Sequence, residues 1–185
     1  SRVILKIGET AAAKIALRNE ADALRALASS VIARQIPSVI DLFDDSGRLT
    51  LAQEYRPRVR ATHVLVKNSA STFLAGLSSI QRSQVPLTKW LMESGVLENV
   101  RAMAQLPELA MRLEKVAEYH ASQGTTIGVH RIHGDFAPWN SSWTKEGLFV
   151  FDWEESRAHG LALGDAFYYV LAPFMHVGKR RITKA

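Results

Sequence analysis

The chain has 185 residues, 47% of them apolar and 22% charged, the balance of a folding globular protein, with enough length for one ample core or two small lobes around a cleft. It contains no cysteine, which excludes disulfide frameworks, thiolate catalysis and cysteine-held metals and fits a reducing compartment; no apolar run approaches the ~20 residues of a membrane helix, so a cytoplasmic protein with no membrane partner is expected. Much of the net charge of +5 sits in Lys179-Arg180-Arg181-Ile182-Thr183-Lys184, which reads as a solvated tail, and basic residues are not interleaved with aromatic ones, so no nucleic-acid partner is expected.

The first residues, Ser1-Arg2-Val3-Ile4-Leu5-Lys6, break into charge before any leader-like apolar core develops, and the chain opens without Met inside a strand-like run, as a fragment would. Val3, Leu5 and Ile7 alternate with Ile4 and Lys6, a period of two that predicts a strand with Lys6 on the face of Ile4. After the break at Gly8-Glu9-Thr10, residues 11 to about 28 are strong helix formers with Leu17, Leu24 and Leu27 on one face. Glu20 falls on that same face, where a carboxylate either finds a cationic partner, with Lys6 the nearest preceding candidate, or sits at the edge of the stripe and reaches water. Lys14, six residues before Glu20, competes with Lys6 for that role; a strand is better able to aim a side chain into a cleft. Residues 38–43 and 48–55 predict two strands of a hairpin around an Asp44-Asp45-Ser46-Gly47 turn, and Pro57 closes this unit.

Residues 61–124 turn helical, first with one or two ill-defined helices and then with a clearer one that starts at Pro107, carries Leu109, Leu113, Val116, Ala117 and His120 on one stripe, and stops at Gly124. His120 is expected as a packing histidine. Residues 128–132 lead into a loop from His133 to Asn140; short strands near Ser142 and over 148–151 flank a Lys145-Glu146-Gly147 turn, Asp152 follows at once, and 163–174 predicts an apolar helix.

The loop sets Asp135 and Asn140 five positions apart, and Asp152 brings a second carboxylate at a strand end. Any one of these side chains is at home capping a turn. Together they are what phosphoryl transfer needs: one carboxylate to accept the proton of an attacking hydroxyl and oxygen ligands to hold magnesium against phosphates, at the Asp-x-x-x-x-Asn spacing of the kinase catalytic loop.

His133-Gly134-Asp135 to Asn140, then Phe151-Asp152-Trp153-Glu154, then Gly164-Asp165, closely resemble the aminoglycoside phosphotransferase and choline kinase superfamily over nearly the whole chain. The resemblance implies an α+β, protein-kinase-like fold. Residues 1–56 would be a partial N-terminal lobe of antiparallel sheet and one helix on the nucleotide side, and 57–185 a partial, mainly helical C-terminal lobe carrying the catalytic-loop hairpin. It implies ATP and Mg2+ as cofactors, Asp135 as catalytic base, Asn140 and Asp152 as metal ligands, Lys6 on the nucleotide phosphates with Glu20 as its helix partner, and Gln53, Glu54 and Tyr55 at the adenine, through backbone groups. Asp165 would brace the loop and His133 would be structural. Gly134 stands where protein kinases have the arginine that receives an activation-loop phosphate, so no switch of that kind is expected. Trp139 and Trp153 flank the metal-site residues, where they could stack on a substrate but fit better as core; Glu154 and Glu155 would face a cationic acceptor or form a solvated pair.

The family's phosphate-covering hairpin precedes the lysine strand and is not in this sequence, the family's chains usually continue beyond the Gly-Asp segment, and Ser141-Ser142 replaces its aliphatic pair. The implied activity is transfer of the ATP γ-phosphate to a hydroxyl of an aminoglycoside, a sugar or an amino alcohol. Two alternatives are a truncated or pseudo-enzyme remnant that binds nucleotide weakly or only a protein partner, and a metal-dependent hydrolase, which leaves Lys6 and Glu20 without a role.

Overall fold

A computed structural model describes residues 2–60, 63–102 and 107–182; the side chains of 63–67, 97, 100, 109, 110 and 176–182 also lie outside the described set. In chain order the elements are β1 (Arg2–Gly8), α1 (Ala11–Leu27), β2 (Val39–Asp45), β3 (Arg48–Tyr55), α2 (His63–Ser78), β4 (Ser83–Pro86), α3 (Leu87–Ser94), α4 (Val96–Ala102), α5 (Pro107–Ser122), β5 (Thr126–Ile132), β6 (Ser141–Thr144), β7 (Gly147–Val150), β8 (Arg157–Leu161) and α6 (Gly164–Ile182). They fall into two compact units, one of residues 1–81 and 130–185, the other of 82–129. No helix among the described residues is long and apolar enough to cross a membrane.

In the first unit β1 and β2 flank β3 in an antiparallel sheet, with Lys6 opposite Leu51 and Ile4 opposite Gln53. Paired residues of an antiparallel ladder share a face, so Ile4, Lys6, Leu51 and Gln53 point the same way. Helix α1 starts because the Thr10 hydroxyl accepts the Ala13 N–H at 3.2 Å, and it buries Leu17, Glu20, Ala21, Leu24 and Leu27, the stripe legible in the sequence. The β2–β3 turn is tighter than its composition suggests. The ladder continues through Asp45 opposite Arg48, leaving Ser46 and Gly47 to turn the chain with φ of 52° and 84°, the doubly left-handed turn that matches strand twist. Asp44 still works as a turn residue from inside the strand, accepting the Gly47 N–H at 3.1 Å.

The core of this unit gathers Leu24, Leu27, Ile32 and Ile36, then Ala70, Phe73 and Leu77 of α2, then Phe136, Leu148, Val150 and Trp153. Phe136 stacks between Phe73, with ring centroids 5.4 Å apart, and Tyr169, at 5.0 Å. The segment that carries Asp135 is thereby anchored by the aromatic residue beside it. Strands β6 and β7 form a separate two-stranded hairpin.

In the second unit β4 pairs with the first half of β5, a pairing no sequence signal marked, and α3, α4 and α5 pack on one another. Pro107 opens α5 as expected. The stripe expected to be its buried face is open instead: Leu113, Val116 and His120 are exposed, and His120 meets only the edge of Tyr119 among the ring contacts. An amphipathic pattern marks a face able to pack, and among the described residues little covers this one. The backbone of α6 runs to Ile182; the side chains of the basic cluster from Lys179 lie outside the described residues.

Candidate active site

Three elements of the first unit meet at the Lys6 ammonium. Its Nζ donates to both oxygens of Glu20, at 2.9 and 2.7 Å, and to Asp152 Oδ1 at 2.7 Å. Glu20 is fully buried, and the Trp153 N–H also points at its Oε1 from 3.4 Å. A carboxylate placed in a leucine stripe is tolerable because a cation and an amide meet it there. Burial, the largest single influence, pulls the Lys6 ammonium down, but the Glu20 charge and the bonds to Asp152 and Glu20 together outweigh it and leave its pKa raised, so the side chain is charged. Lys14, the other candidate, lies 3.8 Å from Asp44 instead.

Asp152 follows β7 with φ of 73°, a left-handed conformation unusual for a residue with a side chain. Sharp reversal there turns the carboxylate back toward Lys6 and lets Trp153 drop into the core, where its indole N–H donates to the Val150 carbonyl at 3.0 Å. Trp153 is therefore a packing residue, as expected, whereas Trp139 is 43% exposed and does not belong to the core.

The loop before Asp135 is clamped from downstream. Asp165, near the start of α6, accepts the His133 N–H at 2.7 Å and the Gly134 N–H at 2.9 Å, which gives it the bracing position expected of it. Its burial pushes the carboxyl up while the two amides pull the other way. His133 accepts the Asp135 N–H on Nδ1 at 3.3 Å and lies 3.1 Å through Nε2 from the Phe151 carbonyl, an arrangement that suits a neutral ring protonated on Nε2. Burial lowers its pKa in keeping with that state, and the ring lies 4.6 Å from that of Trp153.

Gly134 has two physical reasons to be glycine. Its φ is +88°, and a Cβ there would stand 2.2 Å from the Glu155 carbonyl oxygen. Any side chain, arginine included, is excluded by contact with the chain that follows Trp153.

Asn140 donates through Nδ2 to the Asp135 carbonyl at 2.9 Å and to its Oδ2 at 2.7 Å, and its own carbonyl accepts the Phe151 N–H at 3.1 Å. The five-residue spacing thus folds into one turn, with Asn140 buried and Asp135 half-exposed. Tyr168 of α6 was not singled out by any motif. Its hydroxyl is bonded to Asp135, and that bond, followed by burial, raises its pKa. A tyrosine one helical turn beyond Asp165 lies on the same face of α6, and that spacing was the available signal.

Gln53, Glu54 and Tyr55 end β3 at a cleft of about 120 Å³ lined also by Ile4, Pro37, Phe149 and Phe151. Glu54 is committed to protein partners: its carboxylate takes the Arg56 Nε–H at 2.6 Å and the Ser38 hydroxyl at 3.0 Å, and its amide donates to the Ser38 carbonyl at 2.9 Å. Burial raises the Glu54 pKa, and the Arg56 and Ser38 bonds overcome this and lower it. Tyr55 is 41% exposed, while Gln53 is buried. Glu154 is half-buried beside Asp152, its pKa raised first by burial and then by that neighbouring charge; Glu155 is exposed.

No group of three or more histidine, aspartate or glutamate side chains able to hold a metal occurs among the described residues. The available oxygen donors are Asp152 and the Asn140 carboxamide, whose Nδ2 is turned to Asp135. Two such donors are a set that suits Mg2+, which is bound by one or two carboxylates together with substrate phosphates, and not a self-sufficient cage.

A family model described as a phosphotransferase enzyme family matches residues 1–166. No curated protein matches the sequence. Among solved structures, the gentamicin complex of APH(2″)-IIa is similar with a TM-score of 0.55 and 19% identity, over 88% of this chain and 62% of that one. A protein described as a fructosamine-3-kinase from Haemophilus somnus 129PT is similar with a TM-score of 0.56 and 19% identity, over 80% of this chain and 57% of that one. This chain thus corresponds to about three-fifths of the length of the solved structures it matches, and the likeness establishes a shared α+β, protein-kinase-like fold.

Proposed function

This chain belongs to the phosphotransferase enzyme family, and from that premise we propose that it transfers the terminal phosphoryl group of ATP to a hydroxyl of a small molecule: an aminoglycoside, a sugar or an amino alcohol. The observation that carries the reading is the shared ammonium of Lys6, held between Glu20 and Asp152 by bonds of 2.7–2.9 Å. A lysine kept charged at a cleft, next to a carboxylate with a conformationally costly backbone, supports a role for this cluster beyond packing.

Residues 1–56 would form the nucleotide side and 57–185 the catalytic side. Lys6 would take the phosphates, with Glu20 fixing its direction; Asp152 and Asn140 would hold magnesium; the cleft under Gln53, Glu54 and Tyr55 would take the base. Magnesium and ATP, when bound, supply charge neutralisation and the phosphoryl donor. Asp135 accepts the proton of the attacking hydroxyl, and the Asn140 amide at 2.7 Å holds its carboxylate in one orientation for that task. His133, neutral and bonded on both sides, keeps the loop in register without exchanging protons. The cytoplasm is the proposed location.

Thermal unfolding with and without Mg2+ and ATP tests binding: a rise in midpoint that Asp152→Ala removes is expected, and no rise with the intact chain refutes the reading in favour of a remnant. ATP turnover over a panel of small hydroxyl compounds then tests catalysis, with Asp135→Asn expected to lower the rate by 100-fold or more, roughly the share a general base supplies.

A further inference from the structure

Helix α6 runs beside the loop that carries Asp135, and three of its residues meet that loop in order. Asp165 takes the His133 and Gly134 amides at 2.7 and 2.9 Å, the Tyr168 hydroxyl bonds to the Asp135 carboxylate, and the Tyr169 ring stacks on Phe136 with centroids 5.0 Å and planes 23° apart. Positions 165, 168 and 169 share one helix face, so this face follows the loop residue by residue. The two tyrosines are held differently. Tyr169 packs against the core, and burial is what raises its pKa. Tyr168 is the less enclosed of the two, and its raised pKa is owed first to the Asp135 bond and only then to burial.

Asn140 already holds Asp135 Oδ2 at 2.7 Å and is fixed there by donating also to the Asp135 carbonyl at 2.9 Å. A carboxylate that serves as a base must still offer a lone pair to an incoming O–H. The phenol of Tyr168 is such an O–H, delivered by the protein itself to a half-exposed carboxylate. Its bond to Asp135 is the one an attacking alcohol makes before its proton is taken. Unlike the Asn140 amide it is free to leave, because a side chain so little enclosed can turn about its Cα–Cβ bond while the Tyr169 stack and the Asp165 clamp stay in place.

We propose that Tyr168 is a specificity-determining residue that discriminates acceptor from water: in the free chain its hydroxyl occupies the acceptor's place on Asp135, and a hydroxyl compound bound in that place turns it out. The proposal rests on the reading of Asp135 as base and adds a guard to it. The reaction guarded against is hydrolysis. A water oxygen would bond to the γ-phosphorus of ATP as the bond from that phosphorus to the β,γ-bridging oxygen breaks, ADP would depart with the electron pair, and the water proton would pass to Asp135, leaving inorganic phosphate. Water has no binding contacts of its own with which to displace the phenol, whereas an acceptor has. A hydrogen bond to a charged group favours the capped arrangement by roughly 10- to 100-fold.

The test is acceptor-free release of inorganic phosphate from ATP and Mg2+ by the whole chain, read beside the thermal shift that reports nucleotide binding. Tyr168→Phe keeps the ring and deletes the bond; hydrolysis should rise roughly tenfold while the thermal shift is unchanged. Tyr168→Ala, which also opens the space, should hydrolyse at least as fast. A side chain that merely stiffened the loop would lower the rate when deleted. The gain should vanish when Tyr168→Phe is combined with Asp135→Asn. Independently of turnover, the losses in urea midpoint of Tyr168→Phe and Asp135→Ala should be less than additive in the double variant, which reports the bond in the free chain. Nucleotide binding with equal hydrolysis, or with none, in the wild type and both Tyr168 variants overturns the guard and leaves the phosphotransferase reading in place, as does additivity in urea. Phosphate incorporated on Tyr168 overturns it too, the phenol then being an acceptor and not a stand-in. No thermal shift in any of these chains overturns both.

Discussion

Replacing Gly134 by alanine should be far more costly than its size suggests, and the structure supplies its own control. Gly47 has nearly the same backbone angle, +84° against +88°, yet a Cβ on Gly47 meets nothing within 4 Å while one on Gly134 stands 2.2 Å from the Glu155 oxygen and 2.8 Å from its carbonyl carbon. Gly47→Ala therefore isolates the left-handed penalty, about 1 kcal/mol, which in a chain of this length lowers the unfolding midpoint by roughly 2–4 °C. Gly134→Ala adds a displacement of roughly 1 Å to restore van der Waals distance, and the backbone that must move donates the two amides held by Asp165. Losing one of those charge-assisted bonds brings the total to about 3–5 kcal/mol, or roughly 10 °C. Urea unfolding of both variants measures the difference. Combined with Asp165→Ala the loss should be clearly less than additive, since both changes release the same loop. A drop in Gly134→Ala equal to that in Gly47→Ala would refute the close approach as the reason for the glycine.

Glu20→Gln, which keeps the shape and removes the charge, should destabilise the free chain by about 1–3 kcal/mol in urea unfolding, below the full cost of breaking a buried pair because Lys6 keeps Asp152. Because burial lowers the His133 pKa, the folded state binds fewer protons than the unfolded one as pH falls below the ordinary value of about 6.5; the stabilisation is complete above that value and lost as pH drops toward the folded pKa. Midpoints measured from pH 8 to pH 5 should decline, less steeply in His133→Asn. Phe73→Ala removes a fully buried ring stacked on Phe136 and should cost about 3–5 kcal/mol, with loss of the Mg2+ and ATP-induced shift well before unfolding if the stack holds the Asp135 loop.

Local patterns announced much of this site. The alternation placed Lys6 on the face of Ile4, and a carboxylate out of character in the leucine stripe of α1 left Lys6, Lys14 and water as its possible partners; the family resemblance favoured Lys6, and the structure pairs it with Glu20. The Asp135 to Asn140 spacing was equally legible, since both ends lie in one turn. Illegible were relations that depend on separate segments meeting. Nothing in Ser83–Pro86 signals a strand, because its identity comes from pairing with Thr126–Val129 and not from its own alternation. Tyr168 reaches Asp135 only because α6 begins at the clamp, and the openness of the α5 stripe could not be read from a pattern that reports capacity to pack and not what packs.

The contacts that define the site are among the most distant the chain makes. Lys6 and Asp152 are 146 residues apart and Glu20 and Trp153 are 133 apart, whereas the β2–β3 hairpin and α1 close locally. Joining ends so far apart carries a loop-closure cost that is repaid only once the intervening core has condensed, so such contacts form late. A growing chain would complete its sheet and first helix early, and those two elements alone supply the Lys6–Glu20 pair. Asp152 and the Trp153 amide join it only once the chain beyond β7 has been made, so local folding sets the cation in place and the carboxylate that turns it into a candidate site arrives later.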